Sequence, residues 1–402
     1  MKIGILKESR TPADNRVPLT PLQCRQIELR FKGTRVIVQP SGDRCFTDKE
    51  YKKAGIEMQQ DISGCDVLMG VKEIDPENLI PDKTYLFFSH TIKKQLHNRE
   101  LLKTALKKRI RLIDYETLTD SQGLRLIGFG RWAGLVGAYN GIRAFCIRSQ
   151  IPGLSPAHRF KKLQDMMKLA SSVKLPPMKV AVTGGGRVAG GTEEIMAAFN
   201  VRKVSVEEYL HTNDFGIPAY AQLNPDAYNT RISGDDFDLY HFFRHPEDYK
   251  GNFSRFCHTT DLLVNAAYWD PRAPVLFTID EMRNRDFRIR VIADITCDIN
   301  GSVPSSIRIT THEDPFYDFN SLTGKEEKAF SNSSNITVMT IDNLPYALPR
   351  AASVDFGNNL IKKVLPGILQ GGENDTIARA TIAEGGKLTE RYNYLADWVS
   401  EP

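Results

Sequence analysis

Between Val180 and Gly191 the chain reads VAVTGGGRVAGG, a cluster of glycines behind a β-rich run and ahead of a helical one. Gly184, Gly186 and Ala189 fit the pattern G-x-G-x-x-G/A, with further glycines at 190 and 191 and Arg187 inside the turn. Such a turn lets backbone approach a pyrophosphate, whose charge then meets the unpaired N–H groups of the following helix. Glu207 stands 21 residues beyond Gly186, closing Val204–Glu207, which reads as a strand. An acid there accepts hydrogen bonds from the adenosine ribose hydroxyls. The chemistry indicated is dinucleotide binding. A glycine turn that merely joins strand to helix needs neither the second strand nor the acid. Two further residues close apolar strands: Lys72 follows DVLMGV and His90 follows YLFFS. Side chains at strand carboxyl ends in an α/β sheet face the ligand crevice, and a lysine and a histidine can pass protons near neutral pH. Each also has a plainer role, His90 as a structural histidine and Lys72 as the partner of a carboxylate.

The elements that position these residues alternate. Ile3–Leu6, Arg35–Val38, Asp66–Gly70, Tyr85–Ser89 and Arg111–Asp114 read as strands, with helices at Leu22–Phe31 and Arg99–Lys108 between them. Strands alternating with helices predict α/β layers with mostly parallel sheets. WAGLVGAYNGIRAFCIR, from Trp132 to Arg148, reads as a long helix whose small residues allow close approach to other backbone, crossing between domains. A second α/β start follows, with strands at Met178–Thr183, Val204–Glu207, Asp261–Ala266 and Arg288–Asp294 and a helix over TEEIMAAF. Residues 209–260 show no clear period and read as a long insertion. The tail after Arg350 reads as mostly helical, folding back on the first domain.

The 402 residues suit two domains. Charged residues are 25% and the net charge is +4, with no basic block, so nucleic-acid binding is not indicated. No run of 18 apolar residues appears, so no membrane span is expected. The opening MKIGILKESR lacks the apolar core and cleavage site of a signal peptide. The six cysteines are scattered without metal-ligand spacing, which fits reduced thiols and a cytoplasmic location. His245 and His258 lie near Glu247 and Asp261 but without metal spacing, so no metal is expected. Trp269 follows a strand and either walls a cofactor cleft or fills core.

Several segments are similar to lysine–ketoglutarate reductases and lysine-forming saccharopine dehydrogenases. They are VPLTPLQ with Arg16 ahead of it, VKEI at 71–74, FFSHTIKKQ at 87–95, RLIDYE at 111–116, and QGLRLIGFGRWAGLVG at 122–137. HPEDY at 245–249, ADITCDINGSV at 293–303 and TIDNLPYALPRAAS at 340–353 continue the same order. VKE followed by a strand-end histidine is shared more widely, with alanine dehydrogenases and the transhydrogenase α subunit. The resemblance implies two Rossmann-like domains around a cleft: a substrate domain from 1–134 plus 344–402, and a dinucleotide domain from 135–343 carrying the 209–260 insertion. It implies reversible NAD(P)H-dependent reduction of the imine of lysine and 2-oxoglutarate to saccharopine.

Carried onto this chain, the resemblance makes Lys72 and His90 the acid–base pair. Glu73 and Glu116 become acids near the substrate, and Arg16, Lys93 and Arg125 the cations that meet its carboxylates. Saccharopine has three carboxylates, so a site for it needs several cations, although each of these alone would read as a solvated charge. Asp298 corresponds to an aspartate near the nicotinamide, and Asn343 and Leu344 lie in the segment returning to the cleft. Arg10 departs from the lysine of the yeast-type enzymes, keeping charge but changing hydrogen-bond geometry. No saccharopine-cleaving half follows, so a stand-alone enzyme is expected. The cofactor is NAD or NADP: Glu207 tips the balance toward NAD, while the bifunctional reductases use NADPH. The alternatives are another reductive amination, by an alanine dehydrogenase or an opine-forming enzyme, a diverged paralogue with another amine donor, and a non-catalytic dinucleotide-sensing subunit. The last needs neither Lys72 nor His90.

Overall fold

The computed structural model describes residues 1–9, 14–371 and 375–400; Arg10 lies outside them. The chain divides into two compact units, Met1–Phe129 with Pro349–Pro402, and Gly130–Leu348.

In the first unit six short strands pair in parallel: β1 (Lys2–Ile5), β2 (Arg35–Val38), β3 (Glu57–Met58), β4 (Val67–Lys72), β5 (Thr84–Phe88) and β6 (Arg111–Asp114). Their order across the sheet is β3-β2-β1-β4-β5-β6. The sequence placed five of these within two residues, because their apolar side chains are buried on both faces, as a parallel sheet covered by helices requires. The helix Pro21–Arg30 starts where Thr20 and Gln23 form a capping box, with proline in the first turn. The order reverses at β1, whose neighbours are β2 on one side and β4 on the other, creating a crevice at the carboxyl edge. The tail is helical through Pro349–Lys363, but Thr381–Glu384 and Lys387–Leu388 are strands that extend the sheet antiparallel beyond β6. Sequence periodicity missed them because each is too short to show alternation.

The second unit holds β7 (Lys179–Thr183), β8 (Arg202–Lys203), β9 (Ala219–Leu223), β10 (Asn229–Arg231), β11 (Tyr249–Gly251), β12 (Leu262–Asn265), β13 (Val291–Asp294), β14 (Tyr317–Asn320), β15 (Lys325–Glu327) and β16 (Ile336–Met339). Its sheet runs β8-β9-β7-β12-β13-β16 in parallel, then β14 and β15 antiparallel at one edge. The helices Gly130–Arg148 and Arg187–Ala198 pack with backbones in contact. A Cβ on Gly134 would lie 1.9 Å from the Val188 carbonyl, and one on Gly191 2.0 Å from that of Arg131. The small residues of the long helix therefore serve contact inside this unit.

Two expectations fail here. Val204–Glu207 is not a strand: β8 ends at Lys203, and Ser205 caps the helix Val206–His211 by accepting from the Glu208 N–H. Nor is 209–260 simply an insertion, since β9 lies within it and pairs directly with β7 over five residues. Outside β9 the stretch forms short helices and the β10–β11 ribbon. Among the described residues no helix is long and apolar enough to cross a membrane.

Candidate active site

The carboxyl edge of the first sheet gathers the residues with acid–base chemistry. The N–H groups of Val71 and Lys72 donate to Glu8, at 2.6 Å to Oε1 and 3.0 Å to Oε2. This carboxyl, from the loop after β1, fixes the strand end that presents Lys72. Burial pushes Glu8 up to about 8, and nearby Asp14 adds to the effect against the two backbone donors. Sequence reasoning passed over Glu8, because it acts on backbone and belongs to none of the quoted motifs. Burial works to raise Asp14 as well, but Arg16, which donates to it, and the Lys72 ammonium hold it below the ordinary range.

His90 occupies the next strand end in the left-handed region, φ 53°, a conformation that costs a non-glycine residue energy unless its surroundings hold it. Asp114, at the end of β6, provides the hold. It accepts from the Ser89 N–H at 3.1 Å, from the Ser89 hydroxyl, and from the Glu116 N–H at 2.7 Å. The ring of Phe88 stacks on His90 with centroids 6.3 Å apart, and His90 Nδ1 lies 3.6 Å from Glu73 Oε2. Glu73 is buried. One strand further, Glu116 receives two cations, Arg125 at 2.7 Å and Lys93 at 3.3 Å. Its burial would raise its pKa, yet Arg125, Lys93 and His90 hold it below the ordinary value. Six of the seven candidates of this unit thus sit on the ends or following loops of β4, β5 and β6, neighbours in the sheet. Arg16 stands apart. It is buried, forks onto Asp14 at 2.9 and 2.5 Å, and lies 4.1 Å over the Phe129 ring.

In the second unit the glycine loop joins β7 to the helix Arg187–Ala198. Gly184 has φ +90°, and a Cβ there would meet the Ala267 Cα at 3.0 Å. Gly186 caps the helix with φ −90°, and a Cβ on it would meet nothing within 4 Å. The space above the helix N-terminus is therefore open, and the group that fits is an anion bound by backbone N–H. Arg187 is the exposed first residue of that helix, Ala189 packs inward, and Gly190 faces open space. Asp298 lies exposed in the loop after β13. That loop is anchored by Asp294, which accepts from Thr296 Oγ1 at 2.7 Å, Ser306 Oγ at 2.5 Å and Asn265 Nδ2 at 2.9 Å. Asn343 and Leu344 follow β16 at the same edge of the sheet. The Asn343 carbonyl lies 3.1 Å from His312 Nε2, and Leu344 is buried against the helix that carries Gly137.

Glu207 does not join this group. β8 leaves the sheet at Lys203, level with Tyr220 and Val180, well short of the glycine loop. The chain then turns back: Lys179, the first residue of β7, donates to the carbonyls of Tyr209 at 2.5 Å and Thr212 at 2.7 Å. The C-terminal end of the helix that carries Glu207 is thereby tied to the amino edge of β7. Trp269 donates to the carbonyls of Ala273 and Pro274, both at 3.2 Å, and lines a small apolar cavity with Tyr228 and Phe242. His258 Nδ1 sits 3.2 Å from the Asp286 carbonyl, and His245 lies 3.7 Å from Glu247.

Comparison with known proteins bears on the whole chain. Residues 4–136 match the family model for the alanine dehydrogenase/PNT N-terminal domain. The chain is 29% identical to the mitochondrial α-aminoadipic semialdehyde synthase of Bos taurus, over 98% of this chain and 47% of that protein. With the α-aminoadipic semialdehyde synthase of Arabidopsis thaliana it shares 29% identity over 98% of this chain and 41% of that protein. It thus spans about half the length of these relatives. Against the saccharopine dehydrogenase [NAD(+), L-lysine-forming] of Emericella nidulans the identity is 24%, covering 90% of this chain and 91% of the other. Among solved structures, an L-alanine dehydrogenase superposes with a TM-score of 0.63 at 18% identity over the full length of both chains. The transhydrogenase from Sinorhizobium meliloti gives 0.60 at 15% identity, over 96% of this chain and all of that one. These likenesses fix the fold as two Rossmann-like α/β units.

Proposed function

We propose that this chain, a relative of the α-aminoadipic semialdehyde synthases and lysine-forming saccharopine dehydrogenases, is an NAD(P)-dependent oxidoreductase acting on a CH–NH bond. Its reaction is the reversible joining of lysine and 2-oxoglutarate through an imine to give saccharopine. The observation that carries this reading is the convergence of Lys72, Glu73, His90, Lys93, Glu116 and Arg125 on three adjacent strand ends. We assign the substrate to the first unit and the dinucleotide to the second.

Two cations share one carboxylate at Glu116, so the cluster keeps a positive charge over for a substrate carboxylate. In the forward direction the lysine amine adds to the oxo carbon. The amine nitrogen gives up a proton, the new hydroxyl gains one and leaves as water, and the imine results. Lys72 and His90 are the groups we assign to these two transfers, with the Glu73 carboxylate 3.6 Å from the His90 ring to orient it. A bound nicotinamide supplies the two electrons and the hydrogen that reduce the imine carbon. Its pyrophosphate would be held at Gly184, Gly186, Arg187, Ala189 and Gly190, with Asp298, Asn343 and Leu344 on neighbouring loops. The substrates are small molecules. We place the protein in the cytoplasm on the strength of six free cysteines.

Oxidation of NADH and of NADPH, followed with lysine and 2-oxoglutarate together and with each omitted, tests the function. Turnover only with both is expected. Turnover with ammonia and a 2-oxo acid would instead favour an alanine dehydrogenase reaction, the second reading that the N-terminal family match leaves standing. Turnover with ornithine as amine donor would favour an opine-forming enzyme.

A further inference from the structure

From Arg285 to Arg290 the chain reads RDFRIR, with charged and apolar side chains in alternation. Phe287 and Ile289 are buried in the core, while Asp286 and Arg288 are exposed and Arg290 is half-buried. The segment leads into β13, and Asp261 leads into β12, so both stand at the amino edge of the second unit's sheet. The glycine loop closes β7 at the carboxyl edge of the same sheet. At the amino edge an open cavity of about 630 Å³ is lined by His258, Asp261, Arg285–Arg288 and Arg290. That volume suits a small-molecule ligand.

We propose that this cavity is a second ligand site, separate from the glycine loop, which binds a small phosphate-bearing anion through the guanidiniums of Arg285, Arg288 and Arg290.

The fold uses these arginines only in part. Arg288 Nε donates to Asp261 Oδ1 at 2.8 Å, which leaves its two terminal nitrogens for a ligand. Asp261 is committed to the fold, since its other oxygen accepts from the Lys179 N–H at 2.8 Å. Arg290 turns one terminal nitrogen onto the carbonyls of Phe287 and Ile289, at 3.0 and 3.3 Å. Burial pulls its guanidinium below the ordinary value, and no neighbouring carboxylate opposes that effect. Arg285 is exposed and joins no ion pair among the described residues. Asp286 is the acid left facing the cavity; its carbonyl lies 3.2 Å from His258 Nδ1. Three guanidiniums against the carboxylates of Asp261 and Asp286 leave one positive charge, and a protonated His258 would add another. A carboxylate is filled by a single arginine fork. A phosphate offers three oxygens and up to two charges, so it can take donors from more than one fork. A nucleic-acid backbone fits poorly, because it needs an unbroken run of cations and two acids interrupt this one.

Calorimetric titration of the full chain with tripolyphosphate, with ATP and with citrate tests the site. Tripolyphosphate is expected to bind saturably and at least about tenfold more tightly than citrate, a margin ordinary for added charge-assisted contacts. Arg285→Ala and Arg290→Gln should each weaken it by at least about fivefold, and Asp286→Asn should tighten it by removing a repulsion. Arg283→Ala, which removes a nearby guanidinium already paired with Asp280, should leave it unchanged. Gly186→Val should also leave it unchanged, because the glycine loop is at the other edge of the sheet. If Arg290→Gln loosens the fold, Arg285→Ala carries the test, since that side chain holds no other element. ATP bound more tightly than tripolyphosphate, with the same dependence on the arginines, would make the ligand a nucleotide; equal affinity would make it the phosphate chain alone, and either result supports the site. Absence of saturable tripolyphosphate binding would overturn the proposal. So would citrate bound as tightly, binding that survives Arg285→Ala combined with Arg290→Gln, or binding lost in Gly186→Val, which would seat the anion at the glycine loop instead.

Discussion

Arg16 and Arg125 are both expected to meet substrate carboxylates, but the structure makes their removal two different experiments. Arg125 is half-exposed and shares Glu116 with Lys93. Arg125→Ala leaves the buried Glu116 carboxylate with Lys93 and removes only a half-exposed guanidinium, so it should cost about 1 kcal/mol of stability. Arg16 is buried together with Asp14, which it neutralises through two hydrogen bonds, and it also covers the Phe129 ring. Arg16→Ala takes from a buried carboxylate its hydrogen-bonded guanidinium while leaving the Lys72 ammonium nearby, a loss of up to about 3 kcal/mol, and gives up a cation–π contact of about 0.5–2 kcal/mol. The sum is a large part of the 5–15 kcal/mol that holds an ordinary domain together. Asp14→Asn placed on Arg16→Ala removes the poorly compensated charge and should restore most of the loss without restoring a carboxylate-binding cation. Urea unfolding followed by near-ultraviolet circular dichroism measures the first effect, and KM for lysine and 2-oxoglutarate the second. The expected pattern is a midpoint that falls in Arg16→Ala, recovers in the double variant and holds in Arg125→Ala, with KM raised in all three. An unchanged midpoint in Arg16→Ala, or a double variant as unstable as the single one, would refute the pairing argument. Wild-type KM in Arg125→Ala would remove that residue from substrate binding.

Three further outcomes are expected. Gly186→Val should fold normally, since a Cβ there meets nothing within 4 Å, yet fail to quench or enhance cofactor fluorescence on titration; Gly134→Val should instead unfold the second unit. Lys72→Met and His90→Gln should each lower kcat by at least about 100-fold, the usual range for lost acid–base catalysis, with cofactor affinity unchanged and the double variant only slightly worse than the poorer single one. Burial pushes Glu8 up to about 8, against two backbone donors that lower it. By linkage the stability should fall as pH rises from the ordinary value of 4.5 to about 8 and level off above that, a swing of up to about 5 kcal/mol; the melting temperature should drop between pH 5 and 8, and Glu8→Gln should flatten that drop.

What the sequence displayed, and what it hid, follows from how each feature is encoded. The glycine turn was legible because its geometry is local: Gly184 takes φ +90°, where glycine is favoured, and a Cβ on Gly186 meets nothing within 4 Å. The positions of Lys72 and His90 at strand ends were legible because each follows a run of buried strand residues. Glu8 was hidden because it works on the Val71 and Lys72 N–H groups from the loop after β1, a contact between residues 63 and 64 positions apart. The partner of Arg16 was hidden, since nothing in its surroundings by sequence announces that Asp14 is buried with it. The Glu207 reading failed for a topological reason. A spacing of about twenty residues between glycine and acid presumes that the strand after the first helix lies beside the first strand. Here Ser205 caps a helix where that strand would continue, β8 stops after two residues, and AYAQL at 219–223 takes the inner place. That run is short, bounded by Pro218 and Asn224, and sits in a stretch whose aromatic and charged residues mask any alternation. Its identity as a core strand is decided by pairing with β7, which is a long-range fact. A spacing rule is thus a statement about strand order in disguise, and the residue it selects is only as good as that order.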